Sequence, residues 1–208
     1  MKCVLPLLMM VGLLMAGCGP QGDAKTGGGP SPSGGAQAGK LDLSPENAKI
    51  EFVGTHAGDK PDPRTGGFEK FTGKAEFDPA AKALLAVSVD IETGSLWTEF
   101  DKLTNHLNSP DFFDTREHPT AKFVSTKVTP GSGDKPTEIT GKLMLLGNTK
   151  EIKFPATVKV GDDGLKLTAT FTIDRTDFGM DKLVDKVEKP VTLNVAIGEK
   201  TQPKKSAK

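Results

Sequence analysis

The chain has 208 residues and carries 27 lysines and arginines against 27 aspartates and glutamates. This balance provides no basic surface to neutralise a phosphate backbone, which argues against nucleic acid as a partner. Both cysteines, Cys3 and Cys18, precede the part of the chain that can fold, so a disulfide framework and a cysteine nucleophile are excluded there. Eleven phenylalanines, one tryptophan and no tyrosine form an almost wholly apolar aromatic set, suited to a core or to an apolar ligand.

Residues 1–17 have the pattern of a signal peptide. Met1 and Lys2 precede an apolar run, residues 4–15, that is too short to span a bilayer. The run ends in Ala16-Gly17-Cys18, which resembles the lipobox of bacterial lipoproteins, where the cysteine is lipidated and becomes the mature N-terminus. We therefore expect lipid attachment at Cys18; the alternative is an ordinary secretory signal with a chance cysteine.

Residues 18–40 are rich in glycine, proline and serine and are predicted to form a disordered linker. The residue after Cys18 is Gly19 and not aspartate, so the usual inner-membrane retention signal is missing. We expect a membrane-anchored protein of the cell envelope, on the outer membrane facing the periplasm if the cell has two membranes. A folded domain at 41–199 and a polar tail at 200–208 complete the predicted organisation.

Strand periodicity dominates the predicted domain. Apolar and polar side chains alternate with a period of two, as in half-buried strands, in eight segments: 48–53, 71–77, 85–91, 121–129, 139–145, 152–160, 165–173 and 191–197. Short links with turn-forming residues indicate antiparallel neighbours. A sandwich or a barrel would bury the apolar faces, and an eight-stranded barrel also removes the strand edges while enclosing side chains alone or one small ligand. The sequence thus predicts an all-β, eight-stranded antiparallel barrel.

One helical insert is predicted between the third and fourth strands. Thr98 is placed to cap it, and Phe100, Leu103 and Leu107 fall on one helical face. The double phenylalanine that follows at 112–113 would either plug the end of the barrel or line a ligand mouth.

Six short motifs along these elements resemble the YceI-like family over about residues 47–198. They are GFEKFTG at 67–73, HLNSPDFFD at 106–114 with HPTAKF at 118–123, GKL at 141–143 with LG at 146–147, and DRTDFGM at 174–180. The resemblance implies an extended, lipocalin-like barrel in the cell envelope whose pore binds a polyisoprenoid or a related long amphiphile.

The apolar inward positions are the candidate ligand contacts. The small residues among them would leave room beside the large ones: Gly73, Ala75, Gly141, Ala156 and Ala169. His106 is a candidate contact for a polar head group. The residues expected to line the pore are Phe52, Phe71, Phe77, Val87, Val89, Phe112, Phe113, Phe123, Leu143, Leu145, Phe154, Leu167, Phe171 and Leu193.

The sequence predicts no catalytic residue, metal site or cofactor. His106 and His118 share a segment with several acids, but without the ligand spacing of a metal site. Arg175, flanked by Asp174 and Asp177, is interpreted as a structural ion-pair cluster, and no Gly-x-Ser-x-Gly motif occurs. We therefore expect a binding protein and not an enzyme.

A second function stays open. If the inward phenylalanines meet at the axis, the barrel is packed solid and would act as an envelope stress or interaction module with no bound lipid.

Overall fold

A computed structural model describes residues 38–58 and 60–199, and these form a single antiparallel sheet of eleven strands with one short α-helix. The helix α1 spans Asp101–Leu107, and short 3-10 turns span Thr93–Ser95 and Arg175–Phe178. The strands are β1 (Gly39–Leu43), β2 (Ala48–His56), β3 (Asp62–Phe68), β4 (Phe71–Asp78), β5 (Ala83–Glu92), β6 (Leu96–Thr98), β7 (Thr120–Thr129), β8 (Thr137–Leu145), β9 (Asn148–Gly161), β10 (Gly164–Asp174) and β11 (Pro190–Ile197).

Several predictions fall outside these described ranges. They concern the signal peptide, lipid attachment at Cys18, residues 18–37 of the linker and the tail at 200–208. Gly39 and Lys40, assigned to the linker from sequence, belong to β1, which pairs with β4. In the described part of the chain, no helix has the length and apolar character needed to cross a membrane.

The predicted strand count of eight is wrong, because the sheet contains three further strands. All eight predicted strands are present, as β2, β4, β5 and β7 to β11. The additional ones are β1, β3 and β6; β3 contains Pro63, Gly66 and Gly67, which hide its alternation, and β6 has only three residues. The helical insert therefore lies between β6 and β7 and does not follow the third predicted strand directly. Thr98 belongs to β6, and Phe100 occupies the cap position of α1 without a side-chain cap.

The sheet is curled into a half-barrel with strand order β1-β4-β5-β7-β8-β9-β10-β11-β2-β3-β6. Its two ends are linked through the chain, because β3 runs into β4 and β5 runs into β6. At these bends the Glu69 amide donates to the Ser95 carbonyl (3.1 Å), and the Glu92 amide donates to the Lys70 carbonyl (3.0 Å). The two continuous segments, β3–β4 and β5–β6, thus bring the ends of the sheet together around an apolar interior.

The inward face follows the predicted alternation except at two bulges. On β5 the register shifts so that Phe77 pairs with Leu84; Leu84 is buried, whereas Leu85, predicted to face inward, is 48% exposed. On β7 the register shifts between Ser125 and Lys127, which accounts for the less regular alternation of this strand. A single extra residue reverses the faces of the strand beyond it, and no period-two pattern reveals where it lies.

One half of the interior is densely packed. Its centre includes Ala75 and Ile139, both fully buried, with Ala156, Leu165 and Leu167 in the same cluster. Burying such side chains contributes about 1.5–3 kcal/mol for each large one, so this half provides much of the stability of the fold. We refer to it as the packed half.

Candidate functional site

The other half of the curled sheet borders a partly open cavity of about 350 Å³. The strands β2, β8 and β11 contribute six apolar residues to its wall: Ile50, Phe52, Leu143, Leu145, Val191 and Leu193. The volume lies at the lower end of the range of about 300–1,000 Å³ for small-molecule sites. This half of the sheet, the cavity half, can therefore hold one apolar group without rearrangement of the strands.

The boundary between the two halves follows the strand register. On several strands, one inward residue is the last to line the cavity. The next inward residue, two positions further from the cavity, is packed among other side chains. These pairs, wall residue first, are Ile50 and Ala48 on β2, Ile91 and Val89 on β5, Ala121 and Phe123 on β7, Leu143 and Gly141 on β8, Ile173 and Phe171 on β10, and Leu193 and Val195 on β11.

Three phenylalanine rings lie at this boundary. Phe154 stacks on Phe171 with 4.1 Å between ring centroids and 9° between the planes, and it meets Phe123 at 5.7 Å. A Cβ atom at Gly141 would lie 2.4 Å from the Phe123 ring and 2.7 Å from the Val124 carbonyl oxygen. The Phe123 ring thus occupies the space that a side chain at position 141 would need. We call Phe123, Phe154 and Phe171 the aromatic partition.

The double phenylalanine forms part of the cavity wall together with α1. Phe113 packs against Phe52 and Phe68, with ring centroids 6.2 and 5.8 Å away. Phe112 is buried and meets the His106 ring edge-on at 5.1 Å. Both phenylalanines and His106 line the cavity, as do Leu103 and Leu107 of α1.

A second cover, residues 180–188, crosses the end of β2. The Ala57 amide donates to the Lys186 carbonyl and the Glu188 amide to the Thr55 carbonyl, both at 2.9 Å. We call this stretch the roof segment, because it places Met180, Leu183, Lys186 and Val187 on the cavity.

Arg175 anchors the roof segment from below. Its side chain is 3% exposed and donates to four backbone carbonyls, those of Met180, Lys182 (3.0 Å), Val187 (2.9 Å) and Glu188 (3.0 Å). Burial lowers the pKa of the guanidinium, opposed by the charge of Asp174. The predicted ion-pair cluster is therefore wrong, because the hydrogen-bond acceptors of Arg175 are backbone carbonyl groups and not the neighbouring carboxylates.

Asp174 caps the 3-10 turn that follows β10. Its carboxylate accepts hydrogen bonds from the Thr176 hydroxyl (2.6 Å) and the Thr176 amide (2.9 Å), and these bonds lower the pKa of Asp174 below its usual value. The turn so formed holds Arg175 at the base of the roof segment.

The ionisable side chains on the cavity wall can all carry positive charge. Among the described residues they are His56, Arg64, His106, Arg175 and Lys186, with no acid on the wall. Arg64 forms an ion pair with Asp62 and lies over the Phe100 ring, 5.1 Å from its centroid.

His106 and the roof segment share a partner in Asp111. The His106 Nε2 atom lies 3.4 Å from one carboxylate oxygen of Asp111, and the Lys182 Nζ atom lies 3.6 Å from the other. The two covers of the cavity are thus connected by a small polar contact at the surface.

The predicted ligand contacts divide between the two halves. Six of them line the cavity, as does His106: Phe52, Phe112, Phe113, Leu143, Leu145 and Leu193. The other eight belong to the packed half or the aromatic partition and are not on the wall: Phe71, Phe77, Val87, Val89, Phe123, Phe154, Leu167 and Phe171.

The small inward residues also differ from their predicted role. A Cβ atom at Gly73 would lie 2.3 Å from the Ser88 carbonyl oxygen, and Ala75, Ala156 and Ala169 are buried in the packed half. At Gly73 the small size thus admits the neighbouring strand, and none of these four residues lies on the cavity wall. Sequence analysis overlooked Gly54, where a Cβ atom would meet nothing within 4 Å, as well as Arg64 and the roof segment.

Metal ligands do not gather in the described ranges: no group of three or more His, Cys, Asp or Glu side chains there could hold an ion. His118, which shares the predicted segment with His106, uses its carbonyl to accept a hydrogen bond from the Thr93 hydroxyl (2.7 Å).

Solved structures with the same fold come from several bacteria. BcnA from Burkholderia cenocepacia matches with a TM-score of 0.63 and 25% identity, covering 72% of this chain and 94% of that one. A YceI protein from Campylobacter jejuni matches with a TM-score of 0.58 and 26% identity, covering 66% and 84%. A polyisoprenoid binding domain from Saccharophagus degradans, at 13% identity and a TM-score of 0.56, covers 75% and 95% and shares the fold.

Sequence comparison gives the same result as the fold and the motifs. A UPF0312 protein from Pseudomonas putida is 34% identical over 147 residues, covering 68% of this chain and 75% of that protein. A UPF0312 protein from Pseudomonas fluorescens is 31% identical over the same length. The model of the YceI-like domain matches residues 41–198. The predicted resemblance is thus confirmed, and the chain belongs to the YceI-like family.

Proposed function

We propose that the chain is a lipid-binding protein of the cell envelope, which holds the apolar chain of a polyisoprenoid or a similar amphiphile inside a lipocalin-like barrel. The single observation that carries this proposal is the apolar cavity of about 350 Å³ between the sheet and its two covers. Transfer of an apolar chain from water to such a cavity contributes about 0.8 kcal/mol for each buried methylene. Binding is passive and requires no catalytic group.

The polar groups of the cavity favour an amphiphile over a plain hydrocarbon. His56 and Lys186 are exposed at the end of β2 and on the roof segment, and Arg64 lies nearby on β3. These groups can donate hydrogen bonds to a polar or anionic head while the chain points towards Leu143 and Leu193. His106, the head-group contact proposed from sequence, lies on the same wall but also faces Asp111.

The shared fold adds support from one relative. The Saccharophagus degradans protein is described as a polyisoprenoid binding domain, and its fold covers 75% of this chain. We therefore take an isoprenoid chain as the first ligand to test.

The alternative, a packed module without ligand, has support in the packed half alone. The stacked rings of Phe154 and Phe171 are what that function requires. A packed module would not need the cavity half. Side chains such as Phe52 and Leu193 lose van der Waals contacts on the side that faces the cavity unless a ligand fills it.

Organic extraction of the purified full chain, followed by mass spectrometry, tests the lipid-binding function. We expect a long-chain lipid in amounts close to those of the protein. Repeated extracts without lipid, together with no binding when isoprenoids are supplied, would contradict the proposal and favour the packed module.

Attachment to the membrane through Cys18 is a separate part of the proposal. Its support is the Ala16-Gly17-Cys18 pattern after a short apolar run, followed by the residue Gly19. Labelling with a palmitate analogue should mark the wild-type chain and leave Cys18→Ser unlabelled, with the wild type in the outer-membrane fraction of a two-membrane cell. Equal labelling of both chains, or a mature N-terminus elsewhere without lipid, would overturn this part.

A further inference from the structure

The mouth of the cavity lies between its two covers and the end of β2. Most residues that line the cavity are buried or half-buried, and the exposed ones are His56, His106 and Lys186. These three belong to β2, to α1 and to the roof segment. A ligand that enters or leaves therefore passes where the three elements meet.

Of the elements at the mouth, α1 has the weakest attachment. None of its residues 101–107 is buried, and Phe100 at its cap position supplies no side-chain cap. A helix of 7 residues is not stable in water by itself, so contacts with the rest of the protein must hold it. Its apolar side chains, Leu103 and Leu107, face the cavity and are only half-buried. Without a ligand they gain little from packing.

Two threonines, Thr98 and Thr104, join α1 to the sheet. The Thr98 amide on β6 donates to the Thr104 hydroxyl (3.0 Å), and the two hydroxyl oxygens lie 2.9 Å apart. On the other side of the helix His106 lies 3.4 Å from the Asp111 carboxylate, and both side chains are close to half exposed. An exposed contact of this kind stabilises little. The two threonines, which we call the threonine pair, are therefore the main side-chain attachment of α1.

The chain after α1 is fixed, in contrast to the helix itself. Phe112 is buried, and the Arg175 guanidinium carbon lies 5.9 Å from the centroid of its ring. The Phe113 amide donates to the Leu107 carbonyl at the last residue of the helix (3.0 Å). The roof segment is fixed as well, by the carbonyl bonds of Arg175. The helix can therefore turn away from β6 about its C-terminal end while the double phenylalanine and the roof segment stay in place.

We propose that α1 is a lid, and that the ligand enters and leaves when the threonine pair separates and the helix swings away from β6. The lid rests on the proposed lipid-binding function and adds how the ligand is exchanged. An apolar chain in the cavity fills the space beside Leu103 and Leu107 and so favours the closed lid. Routes between the strands require ladder hydrogen bonds to break, and are slower for that reason.

A reversible disulfide across the threonine pair tests the lid. Thr98→Cys with Thr104→Cys replaces two hydroxyl groups that lie 2.9 Å apart, which suits the short Cβ separation of a disulfide. Cys3→Ser and Cys18→Ser remove the other thiols of the full chain. The protein is loaded with farnesol, oxidised and mixed with an excess of deuterated farnesol, and native mass spectrometry follows the exchange. Oxidation should slow the exchange by about tenfold or more, because only routes through the strand ladders remain, and reduction should restore it.

The matched control is a disulfide on the sheet, Thr170→Cys with Asn194→Cys. These two side chains also form a hydrogen bond of 2.9 Å, and they pair across β10 and β11 without lining the cavity. Oxidation of this control should leave the exchange rate unchanged.

Thr104→Val tests the lid in the opposite direction. It keeps the shape of the side chain but removes the hydroxyl that accepts from the Thr98 amide. The lid should then open more often, so exchange should be about fivefold faster than in the wild type. Thr170→Val removes a hydroxyl hydrogen bond from the sheet and should leave the rate unchanged.

The outcomes separate the two proposals. Equal exchange before and after oxidation of the threonine-pair cysteines, or an unchanged rate in Thr104→Val, would overturn the lid and leave lipid binding intact. If the wild type binds no farnesol after its own lipid has been extracted, the lipid-binding function itself fails. The reduced form of the double-cysteine protein shows whether it folds and binds, and if it does not, Thr104→Val is sufficient for the test.

Discussion

The packed half and the cavity half belong to the same sheet and use the same alternation of apolar and polar side chains. In the packed half, the Phe123 ring fills the space beside Gly141. In the cavity half, Gly54 faces open space, and the covers are a short helix and the roof segment instead of opposite strands. An inward-facing residue can therefore lie either in the packed half or on the cavity wall. Its position along the strand decides which, and so decides whether it can contact a ligand.

The largest effect should come from removing an aliphatic side chain in each half. Ile139→Ala deletes a fully buried side chain of the packed half and should lower the free energy of unfolding by about 4 kcal/mol. Leu193→Ala, on the cavity wall and only partly buried, should cost about 1 kcal/mol without ligand. Urea unfolding of lipid-free protein measures both; equal losses would show that the two halves are packed alike.

Filling the two glycine positions should sharpen the same contrast. Gly141→Leu places side-chain atoms on the Phe123 ring and on the Val124 carbonyl, so we expect a loss of about 3 kcal/mol or failure to fold. Gly54→Leu meets open space and should fold with a change under about 1 kcal/mol while occupying the cavity. Thermal unfolding compares the two, and a folded Gly141→Leu protein of wild-type stability would contradict the boundary drawn here.

Loosening the roof segment should affect the cavity half alone. Arg175→Met removes a charged donor set shared by four carbonyls and should cost about 2 kcal/mol. Amide hydrogen exchange should speed up in residues 180–188 and stay slow in β8 and β9. Uniform acceleration across the sheet would instead mean that Arg175 supports the whole fold.

The smallest effect concerns pH at the turn below the roof segment. The pKa of Asp174 is lowered in the folded state by its bonds from Thr176, so its stabilisation is present above the ordinary aspartate pKa of about 3.9. It is lost as the pH falls through the lowered folded value. Asp174→Asn should be less stable than the wild type by under about 1 kcal/mol at neutral pH, and the gap should close in acid. Urea unfolding at several pH values measures the gap; a constant gap would contradict a role of the carboxylate charge.

Much of the sheet was predictable, because regular alternation marks β2 and β8 to β11 and ordered motifs point to the family. The bulge on β5 was not, since one extra residue exchanges Leu84 and Leu85 without any local signal. The strand β3 was missed because glycine and proline interrupt its pattern.

The candidate site was only half predictable. Alternation places Phe52 and Phe154 on the same inward face, but only the three-dimensional register assigns the first to the cavity and the second to the partition. The carbonyl bonds of Arg175 depend on where the roof segment folds back, which no spacing in the DRTDFGM motif reveals.

The central claim is that the cavity half holds an apolar chain and the packed half does not. Calorimetric titration of farnesol into the full chain and into Gly54→Leu tests it most directly. The account predicts one farnesol per wild-type chain, with a negative heat-capacity change from apolar burial, and no binding to Gly54→Leu. Equal binding by both proteins, or no binding by the wild type after its own lipid has been extracted, would contradict it.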